Sequence, residues 1–191
     1  MIKAIVFDCF GVLTTDGWLP FKRKYFSHDA KLAAEATDLN KKTDAGLASY
    51  EDFARGIAAL AHAPYEEAKK AIETNVTDDE LLNYIATALK PHYKIGMLSN
   101  AGANWLDRLF SEEQQRIFDA VALSYETGFV KPADGAYHII AERLGVDVTE
   151  CVLIDDQERY CTAAREQGMS AVWYKSLEQL KIDLSPLLKK A

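Results

Sequence analysis

Five short, continuously apolar runs limit what this chain can fold into: Ala4–Phe7, Tyr93–Leu98, Ala120–Leu123, Cys151–Ile154 and Ala171–Tyr174. Each has the length of a strand, and none alternates apolar with polar residues as a strand with one wet face would. Continuous hydrophobicity suits parallel strands covered on both sides, and parallel strands need crossover connections. Helical segments lie where those crossovers must run. Tyr137 to Leu144 carries Ile140 and Leu144 four apart and stops at Gly145, a suitable residue just past a helix end. Cys161 to Gln167 is closed by Gly168 in the same way. The pattern predicts an α/β fold: a three-layer αβα arrangement around a parallel sheet.

The interval from about Asp16 to Lys90 breaks this alternation, with helix signals and hardly any strand signal. Ser49 is a good N-cap, with Phe53, Ile57 and Leu60 following at helical spacing. Pro64 suits a first helical turn ahead of Ala68 and Ile72. Thr77 and Glu80 have the spacing of a capping box before Leu82, Ile85 and Leu89, and Pro91 closes the segment. The expected organisation is a core of residues 1–15 and 91–191 with a small α-helical domain, 16–90, inserted after the first strand.

Composition narrows the partners. Of 191 residues 49% are apolar, so a packed core is expected and disorder is not. A net charge of −7 disfavours a nucleic-acid partner, which needs a basic face. No apolar stretch approaches the roughly 18 residues a membrane span needs, and Met1-Ile2-Lys3 leads into a strand without a signal-peptide pattern. Cys9, Cys151 and Cys161 are odd in number and lack metal-ligand spacing, so reduced thiols and a cytoplasmic location are expected. His28, His62, His92 and His138 are scattered and form no metal set.

Polar residues at strand ends carry the chemistry, because open parallel sheets bind ligands at the carboxyl ends of their strands. Asp8 ends the first run, within Phe7-Asp8-Cys9-Phe10-Gly11. Ser99-Asn100 ends the second; the serine hydroxyl and the backbone N–H groups after it can cradle an anion, or either residue can cap a helix. Lys131-Pro132 lies between the third and fourth, where proline holds the lysine extended for charge neutralisation, or the lysine is a solvated loop residue. Asp155-Asp156 ends the fourth. Two adjacent acids after a buried strand need compensation, for which Mg²⁺ is suited, unless Asp156 is a helix cap.

Asp8, Ser99-Asn100, Lys131-Pro132 and Asp155-Asp156, in that order and at successive strand ends, resemble the haloacid dehalogenase-like (HAD) hydrolase superfamily, and the insert resembles the small helical cap of its subclass I. The resemblance implies a Rossmann-like core and Mg²⁺-dependent hydrolysis of a small phosphomonoester, a sugar phosphate among the candidates. It implies Asp8 as nucleophile, Ser99 and Asn100 as substrate-binding residues, and Lys131 between nucleophile and phosphate. It implies a metal held by Asp8, the Phe10 backbone carbonyl, Asp155 and Asp156, with Asp156 the more direct ligand of the acid pair.

Phe10 departs from the pattern. Most phosphatases of the superfamily carry an acid there, which protonates the leaving oxygen and later activates water; losing such a group costs about 10²–10⁴-fold in rate. Two other readings follow. The metal-independent L-2-haloacid dehalogenases carry an aromatic at this place, and Tyr137 fits their pattern as well, but Asp155, Asp156, Tyr160 and Val12 do not. Adjacent carboxylates facing Asp8 without a cation would repel one another, which favours the metal enzyme. The other reading is a catalytically weak binding protein. Cys9 is read as a packing residue, Lys22-Arg23-Lys24 as a solvated face, and Asp44 and Gly46 as an insert loop near the site, without assigned contacts.

Overall fold

A computed structural model describes residues 1–188; the last three residues of the expected 91–191 segment lie outside it. After β1 (Ala4–Phe7) come α1 (Trp18–Phe26), α2 (Ala30–Asp44), α3 (Tyr50–Leu60), α4 (Tyr65–Glu73) and α5 (Asp79–Tyr84), which runs on as a π-helical turn over Ile85–Leu89. The alternation then resumes: β2 (Lys94–Ser99), α6 (Leu106–Leu109), α7 (Glu112–Gln115), β3 (Ala120–Leu123), α8 (Ser124–Thr127), α9 (Asp134–Leu144), β4 (Cys151–Asp155), α10 (Glu158–Glu166), β5 (Ser170–Trp173) and α11 (Leu177–Leu188).

The strands form one sheet in the order β3-β2-β1-β4-β5, parallel throughout. Successive side chains of a strand point to opposite faces, and here they feed separate cores. Ile5, Phe7, Ile95, Met97, Val152 and Ile154 pack with Leu180 and Leu184 of α11 and Leu81 and Ile85 of the α5 segment. Ala4, Val6, Leu98 and Leu153 pack on the other face with Tyr137, Ile140 and Leu144 of α9 and Ala164 of α10. This is the expected three-layer arrangement. Among the described residues no helix is long and apolar enough to cross a membrane.

The helices between β1 and β2 have a cluster of their own, built from Phe21, Phe26, Phe53, Ile57, Ala68 and Ile72. Leu81, Leu82, Ile85 and Leu89 instead join the sheet's core. The stretch expected as 16–90 therefore divides its packing: α1–α4 pack on one another, whereas α5 and its extension pack on the sheet. Ser49 caps α3 as expected, its hydroxyl accepting the Asp52 N–H. Pro64 stands one place before α4, at the cap rather than in the first turn. The expected Thr77/Glu80 box does not form. Thr77 is held in a short β-bridge with Thr14, and the Asp78 carboxylate accepts the Leu81 N–H at 2.9 Å in its place.

Candidate active site

The strand register sets the site. Phe7 of β1 pairs with Met97 of β2 on one side and with Ile154 of β4 on the other. Asp8, Ser99 and Asp155 therefore emerge at the same edge of the sheet. From β1 the chain builds outward through β2 and β3, then crosses back to β4; ligand crevices form at such reversal points.

Asp8 and Asp155 are joined by Lys131. Its ammonium lies 3.0 Å from Asp8 Oδ1 and 2.6 Å from Asp155 Oδ2, with all three side chains buried. Asp8 Oδ1 also accepts the Cys9 N–H at 2.7 Å, and Asp155 Oδ1 accepts the Gln157 N–H at 2.8 Å. Burial works against the Lys131 ammonium, but the carboxylates of Asp155 and Asp8 outweigh it and hold its pKa above the ordinary lysine range. Burial pushes the Asp8 pKa up; Lys131 opposes this, while Asp155 and Asp156 add to it. Asp156, half-buried, is likewise raised, chiefly by burial.

One carboxylate oxygen from each of Asp8, Asp155 and Asp156 lies within 4.8 Å of the others. Three carboxylates against one ammonium leave two negative charges in a low-dielectric pocket, which is costly without compensation. An all-oxygen donor set with that charge fits a hard divalent cation such as Mg²⁺. Gly11 lets the loop after β1 pass close to this group. Its φ is +89°, and a Cβ there would sit 2.6 Å from Asp156 Oδ2. Asp156 caps no helix: α10 begins at Glu158 without a side-chain cap bond.

Ser99 Oγ is buried and has no hydrogen-bond partner among the described residues. A buried hydroxyl without a partner costs about 1–3 kcal/mol, so Ser99 Oγ has hydrogen-bonding capacity left for a ligand. Neither Ser99 nor Asn100 caps a helix; the next helix, α6, starts at Leu106. The Asn100 side chain is occupied within the protein. Its Oδ1 accepts the Lys131 N–H at 2.8 Å, and its Nδ2 donates to the Lys131 carbonyl at 3.0 Å. The backbone N–H of Ala101, a candidate member of the anion cradle, donates to Ser124 Oγ instead. Lys131 is far from the solvated-loop alternative, and its bond to Pro132 is cis.

Phe10 is half-buried and meets Trp105 edge to face at 6.5 Å, so no proton-transferring group stands there. The Tyr160 hydroxyl accepts from Arg159 at 2.9 Å and from Asn100 Nδ2 at 3.3 Å, and Lys131 Nζ lies 5.0 Å from its ring centre. Tyr137 is fully buried, donating its hydroxyl to the Tyr160 carbonyl at 3.1 Å. Cys9 is buried in the core, as expected.

Asp8, Phe10, Asn100, Lys131, Asp156 and Tyr160 line a cavity of about 770 Å³ between the strand tips and the inserted helices. Asp16, Lys22, Asn40, Asp44, Tyr50 and Asn75 from the segment between β1 and β2 line it as well, as does Trp105. Sequence reasoning singled out Lys22 and Asp44 without placing them. It missed Asn40, Tyr50, Asn75, Trp105 and Ser124, for which no local spacing gave a signal.

A parallel sheet with a buried Asp–Lys–Asp linkage and a third carboxylate at the strand tips defines a hydrolase-type α/β core. The haloacid dehalogenase-like hydrolase family model matches residues 2–168, and the chain belongs to that family. The chain is 26% identical over 200 residues to phosphatase MT3486 of Mycobacterium tuberculosis (strain CDC 1551 / Oshkosh), covering 89% of this chain and 86% of that one. The HAD family enzyme bt-2542 of Bacteroides thetaiotaomicron, solved with magnesium and inorganic phosphate, superposes with a TM-score of 0.73 at 24% identity, over 93% of this chain and 96% of that one. An L-2-haloacid dehalogenase of Xanthobacter autotrophicus with chloropropionic acid covalently bound gives 0.67 at 20% identity, over 97% and 83%. Backbone shape therefore does not choose between the two chemistries, and the side chains must.

Proposed function

We propose that this protein is a Mg²⁺-dependent phosphatase that hydrolyses a small phosphomonoester through an aspartyl phosphate at Asp8. The observation that carries this reading is the uncompensated charge of Asp8, Asp155 and Asp156 around one lysine. A dehalogenase works without a metal and would have to hold that repulsion unrelieved. The phosphatase relative MT3486 and the magnesium and phosphate bound to bt-2542 support the same choice. Tyr137, the residue that with Phe10 favoured dehalogenation, has its hydroxyl occupied by the Tyr160 carbonyl.

In this reading Asp8, Asp155, Asp156 and the Phe10 backbone carbonyl hold the metal, which supplies charge neutralisation to the phosphoryl oxygens. Lys131 lowers the repulsion between the Asp8 carboxylate and the phosphate dianion. Ser99 Oγ donates to a phosphoryl oxygen, gaining the partner it lacks. Asp8 attacks phosphorus, the ester P–O bond breaks, and water later hydrolyses the acyl phosphate. Helices α1–α4 act as the cap, closing one side of the cavity and selecting the leaving group. Lys22, Asn40 and Asn75 on that side suit a polar, hydroxyl-bearing leaving group such as a sugar. Three buried, unpaired cysteines suit a cytoplasmic setting.

The test compares an aryl phosphate with a 2-haloacid, each with Mg²⁺ and with chelator, for the native chain and Asp8→Asn. Phosphate release that needs both Mg²⁺ and Asp8 is expected. Metal-independent halide release would replace this reading with dehalogenation, and silence on both would leave a binding protein.

A further inference from the structure

With Phe10 at the usual acid's place, a proton must reach the leaving oxygen from elsewhere, and the cavity offers three carboxyl groups outside the Asp8–Lys131–Asp155 linkage. Asp156 belongs to the acidic group at the strand tips. Asp16 lies just before α1, its Oδ1 accepting the Trp18 N–H at 2.7 Å and the Leu19 N–H at 3.2 Å; burial raises its pKa against these two bonds, and both tie the carboxylate to the backbone. Asp44 is placed differently. It is the last residue of α2, where the carbonyl end of the helix disfavours negative charge. It has no Lys, Arg or His partner within ion-pair distance among the described residues, and its one side-chain bond is from Asn40 Nδ2 at 2.8 Å.

We propose that Asp44, delivered from the inserted helices, is the general acid and base that stands in for the group missing at Phe10. The inference rests on the phosphatase reading. As Asp8 Oδ bonds to phosphorus and the ester P–O bond breaks, the Asp44 carboxyl gives its proton to the departing oxygen, which leaves as an alcohol. Asp44, now a carboxylate, takes a proton from the water that attacks the acyl phosphate; the P–O bond to Asp8 breaks, inorganic phosphate forms, and Asp44 is again protonated. No other reactant is needed.

The surroundings of Asp44 fit that cycle. Burial pushes its pKa up to about 7; the Asn40 bond opposes this, the Asp16 charge adds to it, and Lys131 opposes it. Of the elements packed on α2, α1 brings Lys22 to the cavity, α3 brings Tyr50 and Phe53, and α8 carries Glu126, which is paired with Arg143. Lys41, on α2 itself, also lines the cavity. An acid near neutrality can both give and regain a proton at working pH.

The test uses leaving groups of different basicity on the Mg²⁺-loaded enzyme. Nitrophenolate is a weak base that leaves without a proton, whereas an alkoxide needs one. Asp44→Asn keeps the size and can still meet Asn40 through its carbonyl oxygen. For Asp44→Asn, kcat/KM, which covers only the steps up to departure of the leaving group, should fall about 10²-fold or more on glycerol 2-phosphate, with less than about a threefold change on p-nitrophenyl phosphate, the ratio that proton donation predicts; a fall in kcat shared by both esters reports the lost base. The loss of native kcat/KM on the alkyl ester as pH rises through about 7 should vanish in the variant. Equal losses of kcat/KM on both esters, a change in KM alone, or an unaltered pH profile would overturn the assignment to Asp44. If these occur while the native chain is active and Asp8→Asn is dead, the phosphatase reading stands without it; if the native chain releases no phosphate from either ester, both fall together.

Discussion

The Asn100 side chain holds both backbone groups of Lys131, accepting its N–H at 2.8 Å and donating to its carbonyl at 3.0 Å. These two contacts hold both peptide groups that flank Lys131, and they bind the tip of β2 to the segment that carries the buried ammonium. The Asn100 side chain thus helps to hold the Lys131 segment in place. Asn100→Ala should lower kcat by about 10–100-fold, since small misplacements of reacting groups are costly. Leaving the two partly buried backbone groups unpaired should cost about 2 kcal/mol, or about 4–8 °C in melting temperature. Retention of full activity after such a loss of stability would show that Lys131 does not depend on this hold.

Much of this arrangement was legible in the sequence because it follows from strand periodicity. Asp8, Ser99 and Asp155 each end a continuous apolar run, and parallel register brings such ends together. Cavity walls obey no such local rule. Tyr50 and Trp105 meet edge to face at 4.6 Å across 55 residues of chain, and Asp44 faces the site because α2 ends there. Nor could spacing tell that Asn100 would turn inward to Lys131, because an asparagine after a strand suits a cap, a turn or a ligand equally well. The Thr77 box failed for a similar reason: a bridge to Thr14, distant in sequence, took its backbone away.

Restoring an acid beside the nucleophile tests how the leaving group is protonated. Phe10 lines the cavity next to Asp8, so an aspartate there can reach the same oxygen. In the Asp44→Asn background, Phe10→Asp should recover at least about 10-fold in kcat on an alkyl phosphate, within the range a general acid supplies. In the native background the gain should be smaller, because Asp44 already serves. A large gain in the native chain and none in the double variant would place the native proton donor elsewhere.

Asp44 also carries a stability signature. Its folded pKa is raised from 3.8 to about 7, so the folded state binds the proton more tightly than the unfolded chain. Its contribution is fully present below about pH 4 and is lost as pH rises through about 7. Asp44→Asn carries no titrating proton here. Relative to the native protein, the variant should gain melting temperature progressively over that interval and hold the difference above it. Parallel melting curves for the two proteins from pH 4 to 8 would contradict a raised Asp44.

The excess negative charge at the strand tips predicts linkage to a divalent cation. Mg²⁺ at about 100 times its dissociation constant stabilises by about 2.7 kcal/mol, or about 5–10 °C for a chain of this size. Asp156→Asn should abolish most of that shift while raising the melting temperature in chelator, because it removes one of the repelling charges. A magnesium shift left intact in Asp156→Asn would remove this residue from the ligand set.

Gly11 gives a test of the same centre from the backbone side. Its φ of +89° disfavours any L side chain, and a Cβ would stand 2.6 Å from Asp156 Oδ2. Asp156 cannot simply yield, because its Oδ2 is held by Gln157 Nε2 at 3.0 Å and its backbone carbonyl by Trp173 Nε1 at 2.8 Å. Gly11→Ala must therefore distort the loop after β1 or turn the Asp156 carboxylate away from Asp8. Strain of this kind costs about 1–3 kcal/mol, so the protein should fold with a lower melting temperature. Its magnesium-induced stabilisation should shrink by more than the loss of fold stability alone explains, and phosphatase activity should fall with it. If calorimetry found magnesium affinity unchanged in Gly11→Ala, the carboxylate displaced by the new methyl group would not be a ligand, and the metal centre would have to be drawn without Asp156.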